Sequence, residues 1–226
     1  ELTMLSGILI GLAYQPWKLG FLVYVGFIPI ILVWMQNDSI KNFKHGYLFG
    51  FVYNLISNYW IGFNSGAEFY VVLLSLLFAA GYLAIFWGAC GFIIGALNKK
   101  KPIYYLPFLI VTLEWIRSFG PLGFDWGILA LTQIEYLPLL QLNSIFGPYF
   151  STFIIISTNL YIYIILNEED INFKKNLILI FSFSVLFIYG SFKNGNSSEI
   201  TNSLNIAVIQ PNLDPKEKWN QSIRKQ

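Results

Sequence analysis

Two charged side chains interrupt an otherwise apolar run. They are Glu114 and Arg117 in LEWIRSFG, residues 113–120. Three positions apart, they share one face of a helix. Charges within a membrane span are unfavourable and turn toward the protein interior or a polar cavity. A carboxylate and a guanidinium so placed have two uses. They can pair, snorkel toward water and lock the helix end. Alternatively they can form a polar floor for a lipid headgroup, with Arg117 facing a phosphate. Sequence leaves both open.

The other reactive residue types are sparse. Cys90 is the single cysteine, so no internal disulfide forms, and IFWGACGFIIG places no base or cation beside it to lower its pKa. It reads as a small packing residue. His45 follows Lys44 and reads as a loop residue. No second histidine or acidic cluster supplies metal-ligand spacing, and no glycine-rich phosphate loop occurs, so no cofactor is expected. In HGYLFGFVYNLISNYW, Gly46 and Gly50 are four apart and allow close helix contact. Asn54, Ser57 and Asn58 read as polar packing glue.

What must position these residues is a membrane bundle. The 226-residue chain is 56% hydrophobic and 12% charged, about half the charge usual in a soluble domain. Aromatics at 19% suit a chain with much interfacial surface. No basic or acidic block points to nucleic acid. About seven stretches approach the roughly 20 apolar residues of a span: Leu2–Tyr14, Trp17–Met35, Gly46–Phe63, Tyr70–Leu97, Pro102–Phe119, Phe146–Leu166 and Leu177–Phe192. The first reads as truncated, since the chain opens on Glu1. Lys41, Lys44, Lys99, Lys100, Lys101, Lys174 and Lys175 all fall on one side of the alternation, and only Lys18 and Arg117 on the other. The positive-inside rule then makes the N-terminus cytoplasmic and everything after the last span external. Glu114 lies roughly 20 Å along its helix from Lys101, in the outer half of the bilayer.

Two stretches depart from simple spans. Residues 118–145 mix Gly and Pro with Phe124, Trp126, Leu129 and Tyr136. Short helices at the outer interface are expected, held by Trp126 and Tyr136. The alternative is an eighth, distorted span, which would put the tail on the wrong side of the charge pattern. Residues 1–192 therefore read as a transmembrane helical domain and 193–203 as a polar linker. In residues 204–226, LNIAVIQ alternates like a β-strand, with Ile206, Val208 and Gln210 on one face, ended by Pro211. A lone strand needs partners, so the chain reads as part of something larger.

Four of these stretches, in order, resemble the apolipoprotein N-acyltransferases of the bacterial inner membrane. LAYQPWKLGFLVYVGFIPIIL is similar to that family's first hairpin, and HGYLFGFVYNLISNYWI to its Gly/Phe-rich third span. LEWIRSFGPLGFDWGILALTQ resembles its Glu-Trp-x-Arg span and following loop, with Asp125 where proline is usual. IAVIQPNLDPKEKW resembles the opening strand of its nitrilase-like domain.

The resemblance implies a multispan all-α membrane bundle, followed from residue 204 by the start of a periplasmic αββα nitrilase-like domain. It implies an acyltransferase in lipoprotein biosynthesis. The family's thiol takes an acyl chain from a phospholipid donor and passes it to the amino group of a diacylglyceryl-cysteine on the apolipoprotein acceptor, a covalent two-step path. Its catalytic Glu, Lys and Cys match nothing in this chain, so no catalytic residue is assigned and the chain alone is expected to be inactive. The substrate-binding candidates are Trp219, matched to a family Trp near the active-site mouth, with Arg117, Glu114 and Trp126. A monomer in the bilayer is expected, binding no nucleic acid. The alternatives are a transporter, which should show broken spans in repeated positions, or a non-catalytic membrane scaffold.

Overall fold

The computed structural model describes residues 1–97, 102–167, 184, 185, 187–193 and 206–210. The described residues are helical and include no strand. The main elements are α1 (Leu2–Leu12), α2 (Ile28–Gln36), α3 (Ser39–Ser57), α4 (Phe69–Ala96), α5 (Leu106–Arg117), α6 (Leu137–Leu140), α7 (Asn143–Phe146) and α8 (Tyr149–Asn167). Short 3₁₀ turns cover Gly20–Tyr24, Tyr59–Phe63, Pro102–Tyr105 and Leu129–Gln133. Among the described residues two helices, α4 and α8, are long and apolar enough to cross a membrane. At 28 residues α4 reaches about 42 Å, beyond the roughly 30 Å of hydrocarbon.

Apolar runs mark the helices, and local chemistry sets their ends. Asp38 caps α3 by accepting the Lys41 N–H at 2.9 Å. Pro29 opens α2 and Pro107 opens α5, at positions where a missing N–H is harmless. The expected span Trp17–Met35 is not one helix. It divides into the Gly20–Tyr24 turn and α2, and the gap is bridged from α8. Asn159 Nδ2 donates to Val23 O at 2.7 Å, while Asn159 Oδ1 accepts the Phe27 N–H at 3.0 Å. Those two backbone groups are four residues apart and would bond each other in a continuous helix. A side-chain amide has replaced that rung, so neither backbone group of the break is left without a partner.

The core gathers Ile10, Phe27, Ile30, Phe49, Tyr53, Trp87, Ile110, Leu129 and Ile155. The Phe27 ring lies 5.6 Å from both Phe49 and Trp87, and Phe49 meets Trp87 edge-on at 5.1 Å. α3 and α4 approach closely because glycine lines their contact. A Cβ on Gly46 would sit 2.2 Å from Trp87 O, and one on Gly91 2.3 Å from Asn42 O.

The connections sort to two ends of the bundle. At one end Gln15 donates to Glu135 at 3.1 Å, Trp17 faces Tyr59, and Trp60 stacks on Trp126 with ring centres 4.9 Å apart. Lys193 donates to Ser144 at the same end, and Gly190 lies against Pro138. At the other end Thr3 meets His45 at 3.0 Å, and Gly95 touches Ser39. His45 is thus a residue of α3, not of a loop, because the Asp38 cap starts that helix seven positions earlier. Of residues 118–145, the expected short helical pieces occupy Leu129–Gln133, Leu137–Leu140 and Asn143–Phe146, while 118–128 is turn and irregular backbone.

The expected strand is absent from the described part of the tail. Residues 206–210 have no regular structure and Val208 is 89% exposed; among the described residues no strand lies beside them to complete a ladder. Half of Leu177–Phe192 and the rest of 204–226 lie outside the described residues.

Candidate functional site

α5 carries Glu114 and Arg117 into the interior, where both are almost fully buried. Neither snorkels, and no Glu114 oxygen comes within 4.0 Å of an Arg117 nitrogen. Glu114 is instead a clamp. Its Oε1 accepts the Leu129 N–H at 2.9 Å and its Oε2 accepts the Thr152 hydroxyl at 2.7 Å. One carboxylate thereby ties α5 to the 118–145 segment and to α8. With both oxygens accepting, it is occupied as a structural acceptor rather than poised to exchange a proton with a substrate.

A second polar cluster sits beside it. The Tyr14 and Tyr53 hydroxyls are 2.8 Å apart and lie 3.0 and 2.9 Å from Gly127 O. Each hydroxyl has one proton. One tyrosine therefore donates to the carbonyl while the other donates to its neighbour. The Arg117 guanidinium completes the cluster: a Cβ on Gly127 would lie 3.4 Å from Nη2, 3.5 Å from Nη1 and 3.5 Å from the Tyr53 oxygen. Its positive charge acts on Glu114 and on both tyrosines. Arg117 Nε and Nη2 have no hydrogen-bond partner. Beside them, Phe86, Trp87, Ile110, Leu113, Glu114 and Arg117 line a cavity of about 10 Å³, far below the roughly 300 Å³ where ligand pockets begin.

A third set holds the segment to the broken span. Gln133 Nε2 donates to Gly20 O at 3.0 Å, and Tyr24 donates to Gln133 Oε1 at 3.1 Å. Next to it lies an apolar cavity of about 550 Å³, lined by Phe21, Tyr24, Tyr136, Leu139, Phe187 and Ile188 among others.

The structure thus brings Glu114 and Arg117 into one polar cluster and leaves Trp126 outside it, 64% exposed and stacked on Trp60. Trp219 lies outside the described residues. Sequence reading missed Tyr14, Tyr53, Gln133, Thr152 and Asn159. The isolated Asn159 in STNLYIY was the legible signal, a polar amide in an apolar run. Asn54 is less of a glue than expected, since it bonds Gly50 O of its own helix at 2.7 Å. Cys90 is fully buried in α4. Among the described residues no cluster of histidine, cysteine or acidic side chains has metal-binding form.

The family model of the apolipoprotein N-acyltransferase N-terminal domain matches residues 6–161. The chain belongs to that family. The matched stretch contains the whole Glu114 clamp, the tyrosine pair and the Asn159 bridge. Curated relatives named apolipoprotein N-acyltransferase extend the likeness to the rest of the chain. The protein of Geobacter metallireducens is 27% identical over 236 residues, covering 100% of this chain and 45% of that protein. That of Rickettsia prowazekii is 27% identical over 230 residues, covering 97% and 46%. That of Borreliella burgdorferi is 27% identical over 239 residues, covering 95% and 43%. The chain spans less than half the length of these apolipoprotein N-acyltransferases.

Proposed function

We propose that this chain is the membrane part of an enzyme of lipoprotein maturation. The enzyme moves an acyl chain from a phospholipid to the N-terminal diacylglyceryl-cysteine of apolipoproteins. The observation that carries this reading is the family match across residues 6–161, which takes in the 118–145 platform with its clamp. In this reading the bundle crosses the bacterial inner membrane about seven times as a monomer. Residues from 193 onward lead to a periplasmic nitrilase-like domain seated over the platform. The sorting of connections to two ends supports that topology: Gln15, Tyr59, Trp126 and Lys193 gather at the end assigned to the periplasm.

Each candidate residue then has a physical part. Glu114 and Arg117 hold the platform from within and act on lipid use through it, since the cavity beside them admits no headgroup. Trp126, exposed at the rim, meets lipid directly, as does Trp219. The apolar cavity beside Gln133 suits an acyl chain arriving from the side. A transporter reading has one feature in its favour, the broken span between Tyr24 and Ile28. The Asn159 amide already occupies the freed groups there, so the break offers a solute no unmet backbone.

The complete polypeptide should restore N-acylation to a bacterium lacking its own such enzyme, read as triacylated lipoprotein peptides by mass spectrometry. Failure despite normal membrane expression would sink the assignment. The 226 residues alone should yield no product, because Cys90 is enclosed in α4 without a base beside it. For the topology, a membrane-impermeant thiol reagent should label Leu122→Cys from the periplasm and leave Ile40→Cys untouched in a Cys90→Ala background.

A further inference from the structure

The end of the bundle opposite the platform carries a groove between α3 and α4 with no part in the chemistry above. It measures about 630 Å³ and is lined by Ile40, Phe43 and Lys44 of α3 with Ala89, Phe92 and Ile93 of α4. Its origin is the glycine seam. Phe43 lies flat over Gly88, where a Cβ would come within 3.0 Å of the ring, so the two backbones sink together and leave a furrow on their outer face. The floor is apolar and open: Ile40 is 67% exposed and Phe92 45%. Such surface on a membrane helix meets acyl chains.

The rim carries a lysine, Lys44. Lys41, one turn before Lys44, lies 3.6 Å from Asp38. Among the described residues no acidic group lies within 4.0 Å of the Lys44 ammonium. Lys44 is exposed and lines the furrow beside Phe43, and a lysine can lay its apolar stem along such a surface while its ammonium stays in water. A cation above an apolar trough matches a molecule with an anionic head and an apolar tail, and basic pockets between helices on the cytoplasmic side bind such lipids.

We propose that this groove is a binding site for an anionic phospholipid of the inner leaflet, its phosphate on Lys44 and one acyl chain along Phe43, Ala89 and Phe92. This lipid is a resident of the fold, on the face opposite the proposed acyl transfer. It goes beyond the assigned activity, and it rests on the sidedness proposed above only for the leaflet named.

The test is native mass spectrometry of the full chain, released from detergent after equilibration with dioleoylphosphatidylglycerol or dioleoylphosphatidylethanolamine. The expected result is preferential retention of phosphatidylglycerol, reduced about fivefold by Lys44→Gln and little changed by Lys41→Gln. Inorganic phosphate should not displace the lipid, because it brings no chain to the trough. Equal retention of the two lipids overturns the proposal, as does a Lys44→Gln variant that folds normally and retains phosphatidylglycerol unchanged. A dimer that fills the groove with a second copy, seen as doubled mass without bound lipid, also overturns it. Labelling Lys44→Cys in spheroplasts separates the two readings: modification from outside would reverse the leaflet and the proposed topology, while lipid selection in detergent is judged on its own readout.

Discussion

The α3–α4 hairpin and the 118–145 segment hold their places by opposite means. Along α3 and α4, Gly46, Gly50, Gly91 and Gly95 let backbone lie against its neighbour. No side-chain hydrogen bond links the two helices among the described residues. The 118–145 segment is instead pinned by Glu114, which accepts the Leu129 N–H, by Gln133, which donates to Gly20 O, and by the Tyr14–Tyr53 pair, one of whose hydroxyls donates to Gly127 O. The difference follows from the solvent. A regular helix satisfies its own peptide groups, so in lipid two helices need only close packing. Irregular backbone in lipid must find partners elsewhere, and side chains provide them.

Removing the clamp tests this contrast hardest. Glu114→Ala takes the acceptor from the buried Leu129 N–H and Thr152 hydroxyl. A loss of about 1–3 kcal/mol for each orphaned donor is expected, read as a lower unfolding midpoint in detergent, with Glu114→Gln recovering part of it. A change below about 0.5 kcal/mol would show that the segment stands without polar pins. Asn159→Leu keeps the volume but frees Val23 O and the Phe27 N–H; about 1–3 kcal/mol should be lost. Hydrogen exchange should quicken at residues 23–28 and stay unchanged in α4.

The seam has its own test. Gly46→Ala forces a methyl to within 2.2 Å of Trp87 O, and backbone cannot swing aside as a side chain can. About 1–3 kcal/mol of overpacking is expected. Gly62→Ala, which meets only Leu76 Cδ2 at 3.3 Å, should change little. If both glycines behave alike, close approach is not what joins α3 to α4.

The smallest effect belongs to the α3 cap. The Lys41 N–H holds the Asp38 carboxyl below its ordinary range; desolvation opposes it, and the Lys41 charge adds to the lowering. A lowered carboxylate value adds stability above the unfolded value near ~3.9, and that stability fades as pH falls through the value in the fold. Wild type should therefore lose slightly more than Asp38→Ala between pH 5 and pH 3 in a thermal melt. The site is exposed, so the difference is slight.

The reading from sequence succeeded where one residue type decides one local feature. The unbroken apolar runs of α4 and α8, and the Gly46–Gly50 spacing, were all visible. So was the oddity of residues 118–145, where Gly and Pro break up a greasy stretch. Glu114 and Arg117 stood out, but their partners did not. Leu129 is 15 residues from Glu114 and Thr152 is 38, and nothing local links a carboxylate to a distant N–H. Trp17–Met35 misled for another reason. Apolar composition reads the same whether a helix is continuous or broken, although Gly26 and Pro29 in GFIPI were there to be weighed.

The Asn159 bridge also bears on how the protein is made. The groups it joins precede it by 136 and 132 residues. While the ribosome is still adding that intervening length, Val23 and Phe27 have no amide to receive them. The break between Tyr24 and Ile28 is therefore closed only by a segment translated at least 132 residues later.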